Sequence, residues 1–300
     1  MDASGLEYLL TLPKFEHLEA KTVEEACSLL AKYKGKARFI AGGTDLLVSM
    51  KKREKTPEYL INLKTIPNLD YIYYADGEGL RIGALATMHD IESSPVIRER
   101  FPVVASAAHK LGSPHIRNVG TIGGNLCNAS PAAETAPSLI GLGAMAKIDG
   151  LKGERIVALE EFFIGPGESV LQGGEILTEI QIPNAPPNTR GVYLKLPART
   201  AIDIAVVGVA AIITLDSQDK NIVDARIILG AVAPTPIRAR KAEDMMKSKA
   251  IDQRLIEDVS QAAAEESKPI SDVRGSASYR KEIVKVLTSR AIKEAIALSE

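Results

Sequence analysis

Two glycine-paired segments carry the residue types most able to do chemistry in this chain. The first is Ala41-Gly42-Gly43-Thr44-Asp45-Leu46, and the second is Gly120-Thr121-Ile122-Gly123-Gly124-Asn125. Paired glycines permit positive φ and remove Cβ bulk, so successive backbone N–H groups can turn toward one anion. Thr44, Thr121 and Asn125 add side-chain donors, and a helix expected directly after the first segment adds the positive end of its dipole. Neither segment fits Gly-x-Gly-x-x-Gly or the Lys-containing phosphate loop, so the two common nucleotide fingerprints are absent. Two readings stay open on the residues alone: a pair of diphosphate-binding loops, or two tight turns.

Other reactive side chains are sparse. Cys27 and Cys127 are the only cysteines. They cannot supply the four thiolates that most iron–sulfur clusters or Cys-rich zinc sites need. His109 and His115 lack the HExxH spacing, and no carboxylate completes a ligand set beside them, so no metal site is expected. Lys51, Lys52 and Arg53 read as a solvated helix end. The 37 basic residues balance 38 acidic ones, which removes any electrostatic case for nucleic acid or an anionic membrane. There is no tryptophan and aromatics are 4%, so a flat cofactor would be held by backbone, small residues and aliphatics. Residues 1–17 lack a basic region followed by an apolar one, unlike a signal peptide. The most apolar run, 204–215, has 12 residues, short of the roughly 18 that suggest a membrane span. A cytoplasmic protein without a membrane span is expected.

The elements that must position the glycines follow from periodicity. Strand 15–20 leads into a helix whose start is marked by Thr22 and Glu25 as a capping box, with Val23, Ala26, Leu30 and Tyr33 on one face and Gly35 as its stop. Strand 38–41 then enters the first glycine segment, and helix 46–51 leaves it. Strands are expected at 59–63 and 80–84, helices at 87–93 and 102–111, a loop-rich stretch over 112–131, a helix at 135–144, and strands at 146–148, 155–159 and 176–182. Residues 183–188, rich in Pro and Asn, form the best linker. Beyond it come three strands (191–196, 203–215 and 223–232), a hairpin turn at 216–221, and helices at 242–246, 252–267 and 278–298. Runs of strands followed by runs of helices point to an α+β fold. Length over roughly 150 residues per domain gives two domains, divided at the linker into 1–182 (subdomains about 1–57 and 58–182) and 189–300.

The first segment, then Asn118 to Asn125 followed by Ser130-Pro131-Ala132-Ala133-Glu134, then Tyr193-Leu194-Lys195 with Arg199 and Asp203 to Ala205, occur in a set order. In that order and spacing they resemble the FAD-binding medium subunit of the molybdenum hydroxylases, from about Phe15 to Leu298. That family includes xanthine dehydrogenase, molybdenum-type carbon monoxide dehydrogenase and 4-hydroxybenzoyl-CoA reductase. The resemblance implies a two-subdomain FAD-binding domain of the PCMH type and a C-terminal domain with a three-stranded antiparallel sheet and a helical cluster.

It also implies roles. Gly42 to Asp45 and Thr121 to Asn125, with Ala41 and Leu46 flanking the first, would wrap the FAD pyrophosphate. Glu134, where the family usually has Asp, would lie near the adenosine ribose. Lys195 would approach the flavin ring or ribityl chain, Tyr193 one ring face, and Leu111 and Leu177 would give apolar contacts. No residue of this chain is expected to be catalytic. A large partner subunit would carry molybdopterin and the substrate chemistry, and a small partner two 2Fe-2S clusters, assembled as a dimer of heterotrimers. With two cysteines, the chain lacks the 4Fe-4S insertion of some reductase medium subunits. Two alternatives stand beside this reading: a self-contained flavin oxidoreductase of the same fold, and a non-catalytic scaffold that has lost FAD.

Overall fold

The computed structural model describes residues 11–200, 203–218 and 221–297. Most of the N-terminal segment, the tip of the 216–221 turn and Leu298 lie outside the described residues. The first layer is a small parallel sheet. β1 (Glu16–Glu19), α1 (Val23–Lys32), β2 (Ala37–Ile40), α2 (Leu46–Lys51) and β3 (Tyr59–Asn62) follow in order, with β3 between β1 and β2 and parallel to both. The Thr22 hydroxyl caps α1 by accepting from the N–H of Glu25 at 3.1 Å. The Glu25 carboxylate reaches one residue further back than a capping box requires, to the N–H of Lys21 at 2.7 Å. Ala20, Ala26, Cys27 and Ile61 bury between α1 and the sheet.

The second layer runs β4 (Ile72–Ala75), β5 (Gly79–Gly83), α3 (Met88–Ser93), α4 (Pro95–Arg100), α5 (Pro102–His109), α6 (Pro114–Arg117), α7 (Ile122–Cys127), α8 (Thr135–Gly141), β6 (Met145–Gly150), β7 (Gly153–Ala158), a short turn at Leu159–Glu161, β8 (Phe163–Gly165), β9 (Glu168–Ser169) and β10 (Glu175–Ile182). Its antiparallel sheet has the order β4-β5-β10-β6-β7, so the last strand in sequence fills the middle. Pro95, Pro102 and Pro114 open α4, α5 and α6 at the first helical position, where a missing N–H is not needed. The stretch 112–131, expected as loop, contains both α6 and α7. These helices are too short for an apolar stripe to register.

The third layer is an antiparallel sheet of β11 (Thr189–Pro197), β12 (Ala205–Leu215), β13 (Ile222–Gly230) and β14 (Ile237–Arg238), covered on one face by α9 (Arg240–Met246), α10 (Gln253–Glu266) and α11 (Ala277–Ala297). The fold is α+β as expected, but this sheet has four strands rather than three. The fourth pairs only Ile228 with Arg238 and Leu229 with Ile237, too short a run to show alternation. Every residue of β12 is buried. Val207, Val209, Ala211 and Ile213 pack toward the helices, while Ala210 and Ile212 join the core of the second layer. A strand buried on both faces reads as one continuous apolar run.

Charge also joins the layers. Buried Glu243 accepts from the N–H of Ile227 at 2.9 Å and pairs with Arg238 at 2.7 Å. Arg238 reaches Glu160 of the second layer at 3.3 Å. Glu243→Ala should lower stability by about 3 kcal/mol by leaving a part-buried guanidinium without its main partner. Urea unfolding checks this: the midpoint falls, whereas exposed Glu257→Ala changes the unfolding free energy by no more than about 0.5 kcal/mol.

Candidate cofactor site

The two glycine segments meet across the first and second layers. β2 delivers the chain into Gly42, Gly43, Thr44 and Asp45 before α2 begins, and Gly43 has a φ of +71°. A Cβ at Gly42 would collide with the carbonyl oxygen of Val119 and lie 2.8 Å from Cα of Gly120. Only glycine lets these two backbones touch. The second segment is not a loop. Thr121 caps α7 by accepting from the N–H of Gly124 at 3.1 Å, so Gly123, Gly124 and Asn125 form its first turn. A Cβ on Gly123 would lie 2.7 Å from the carbonyl oxygen of Ala84, which seats α7 against the end of β5.

The two segments differ in their free donors. The N–H groups of Ile122 and Gly123 bond to the carbonyls of Ala86 and Ala84 at 3.0 and 2.8 Å, and that of Asn125 to Thr121 at 3.0 Å. Among the described residues, the N–H groups of Gly42, Gly43, Thr44 and Asp45 have no acceptor in the chain. The first segment thus offers a row of open donors. The second supplies shape, together with Thr121 and the Asn125 amide, whose oxygen accepts from Thr135 at 2.6 Å and leaves its NH₂ available.

One cavity of about 900 Å³ gathers Ala41, Gly42, Gly43, Thr44, Asp45, Leu46, Leu111, Thr121, Gly123, Gly124, Asn125 and Leu177. Its lining also includes residues whose types give no hint of a ligand: Leu30, Lys34 and Arg38 from the α1–β2 region, and Ile164 with residues 167–169 from the β8–β9 ribbon. Ile122, Glu134, Tyr193 and Lys195 lie outside this lining. Ile122 is core. The Lys195 ammonium, buried, pairs with Glu134 at 2.8 Å and donates to the carbonyl of Lys110 at 2.9 Å. Lys110 in turn donates to the carbonyl of Tyr193. These side chains join β11 to the residue next to Leu111.

Burial pushes the Glu134 carboxyl above the usual carboxylate range, against the pull of Lys195. Burial likewise raises the thiols of Cys27 and Cys127, to about 11 and about 12, so neither offers a thiolate near neutral pH.

A three-layer α+β chain with open backbone donors on a large cavity defines a cofactor-binding protein, and comparison with known families says which cofactor. Residues 13–185 match the FAD binding domain in molybdopterin dehydrogenase, and residues 192–295 the CO dehydrogenase flavoprotein C-terminal domain. The chain belongs to the family of FAD-binding medium subunits of the molybdenum hydroxylases. It is 33% identical to the carbon monoxide dehydrogenase medium chain of Hydrogenophaga pseudoflava, covering 94% of this chain and 97% of that one. It is also 33% identical to the glyceraldehyde dehydrogenase medium chain of Sulfolobus acidocaldarius, covering 94% and 98%. The structure of carbon monoxide dehydrogenase from Hydrogenophaga pseudoflava superposes with a TM-score of 0.93 over 96% of this chain and 99% of that one, at 33% identity. Among the described residues, no helix is long and apolar enough to cross a membrane.

The Glu134–Lys195 pair has a measurable signature. Lys195→Met leaves a buried carboxylate alone, which should lower stability by about 3 kcal/mol near neutral pH. A carboxyl whose folded pKa is raised stabilises the protonated protein, and that contribution fades as pH rises through the folded pKa. The deficit should therefore shrink toward pH 4.5, the ordinary carboxylate value. Urea titrations of the variant and parent across acid and neutral pH test this; a deficit constant with pH would contradict it.

Proposed function

We infer that the cavity holds FAD and that this chain relays electrons between a partner's 2Fe-2S clusters and an external acceptor or donor. The observation that carries the reading is the row of open N–H groups at Gly42 to Asp45, facing a segment that glycine lets approach to contact. Such a row suits a pyrophosphate, because each donor meets an anionic oxygen without a counter-charge on the protein. A cavity of about 900 Å³ suits a dinucleotide. Leu111 and Leu177 give it apolar walls, in keeping with a chain poor in aromatics.

When bound, FAD supplies two-electron and one-electron chemistry that no side chain offers. The chain's own residues bind and orient it. Gly42 to Asp45 would hold the diphosphate, Asn125 would offer its amide NH₂, and Leu111 and Leu177 would give apolar contacts that exclude water. Lys195 acts from behind the wall, through its hold on Lys110 and Glu134.

The substrate chemistry belongs to partners: a large molybdopterin subunit and a small iron–sulfur subunit, in a cytoplasmic dimer of heterotrimers. Two features favour this over a self-contained oxidase. Among the described residues, no histidine borders the cavity, and the Cys127 thiol there is held up to about 12, so neither an imidazole nor a thiolate is at hand to serve as a substrate base. Relatives of similar identity are named for carbon monoxide and glyceraldehyde, which fits a substrate chosen elsewhere. The open donors of the first segment count against a scaffold that has given up its cofactor.

Gly42→Ala in the assembled complex tests both halves. It should release FAD, and turnover with the external acceptor should fall on the order of a hundredfold, consistent with loss of an essential component. Substrate should still bleach the iron–sulfur absorption. Gly77→Ala, at a φ of +88° with open space around it, should keep its flavin. Full flavin content in Gly42→Ala removes the site; unchanged acceptor turnover without flavin removes the relay.

A further inference from the structure

A second charge cluster supports the cavity from outside. Glu92 on α3 accepts from Nε of Arg117 and Nδ1 of His109, both at 2.9 Å, with Nδ1 of His89 at 3.4 Å. Burial pushes the Glu92 carboxyl up, but these hydrogen bonds together hold it below the usual range. Arg117 is buried, and its Nη1 donates to the carbonyls of Leu111 and Gly112 at 3.3 and 3.2 Å.

The backbone that follows Arg117 continues the same construction. The N–H of Gly120 bonds to the carbonyl of Ile116 at 2.7 Å, which closes the turn that sets Val119 and Gly120 against Gly42. One residue therefore spans both edges of the second segment. Its side chain grips Leu111 and Gly112, and its main chain precedes the Val119–Gly120 contact. With Lys195 on the carbonyl of Lys110, three successive carbonyls are each taken by a buried cation, and each cation has a carboxylate partner.

We propose that Arg117, held by Glu92, is a positioning residue for the cofactor: it fixes Leu111 in the cavity wall and the 112–120 turn against the first glycine segment. Arg117 does not border the cavity itself. The guanidinium suits the task because its planar fork reaches a carboxylate and two carbonyls at once, which an ammonium cannot do in one geometry. The proposal rests on the cavity being the FAD site.

The test uses the complete chain in its complex and reads FAD dissociation, the visible circular dichroism of bound flavin, and thermal stability. Arg117→Met should weaken FAD on the order of tenfold, as expected for losing charge-assisted hydrogen bonds, and should change the flavin dichroism. Glu92→Gln keeps an acceptor but loses the charge, and should fall between this variant and the parent. Arg117→Lys should recover only part of the loss. Arg238→Met removes a part-buried guanidinium that is not among the cavity lining. It should lower the melting temperature while FAD affinity stays within about twofold.

The inference is overturned if Arg117→Met and Glu92→Gln bind FAD as the parent does with unchanged dichroism. It is also overturned if Arg238→Met loses FAD to the same extent. Should Arg117→Met fail to fold, Glu92→Gln decides. A parent complex without FAD removes the site assignment itself, whereas a flavin-loaded parent with unmoved variants removes only the role of Arg117.

Discussion

The close approach of Gly42 to the Val119–Gly120 backbone is the constraint on which the rest of the site depends. Two peptide segments from different layers touch there with no side chain between them. Any Cβ at Gly42 would force the layers apart and open the floor of the cavity. The contact also explains how the two segments divide their tasks. The second is drawn into α7, and the N–H groups of Ile122, Gly123, Gly124 and Asn125 are taken by Ala86, Ala84 and Thr121. The first stays irregular, so its N–H groups remain open to a ligand. One segment is folded into a helix and the other keeps open donors on the cavity, although their sequences look alike.

Charge holds this contact in place from behind. Glu92 with Arg117, and Glu134 with Lys195, converge on the carbonyls of Lys110, Leu111 and Gly112. Buried ion pairs add little net stability compared with apolar packing, because desolvation offsets attraction. They do impose geometry: a buried cation accepts few arrangements of its partners. The third sheet takes part through Lys195 and through β12, whose two faces serve two cores. The cavity is thus braced by all three layers, even where a layer lends it no lining residue.

Much of the fold was legible because the signals were local. Thr22 marked the start of α1, the strand before Gly42 and the helix after Asp45 stood where periodicity placed them, and the run from Ala205 to Leu215 was a strand. The misses, β4, α4, α6, α7, β8, β9 and β14, are elements of two to six residues, which give periodicity little length to show, and tertiary contacts complete them. That Leu30, Arg38 and Ile164 line the cavity was not legible, since nothing in those residues announces a shared ligand.

The sequence by itself determined the family, the α+β class and the glycine pairs, because an ordered set of motifs and local backbone preferences need no knowledge of distant contacts. Only the tertiary structure decided which glycine segment keeps free donors. It also decided that Lys195 and Glu134 pair with each other outside the cavity lining, and that Arg117 reaches Glu92. Those outcomes depend on which groups meet across layers, and a buried donor takes the acceptor that folding brings within about 3 Å, wherever it lies in the chain.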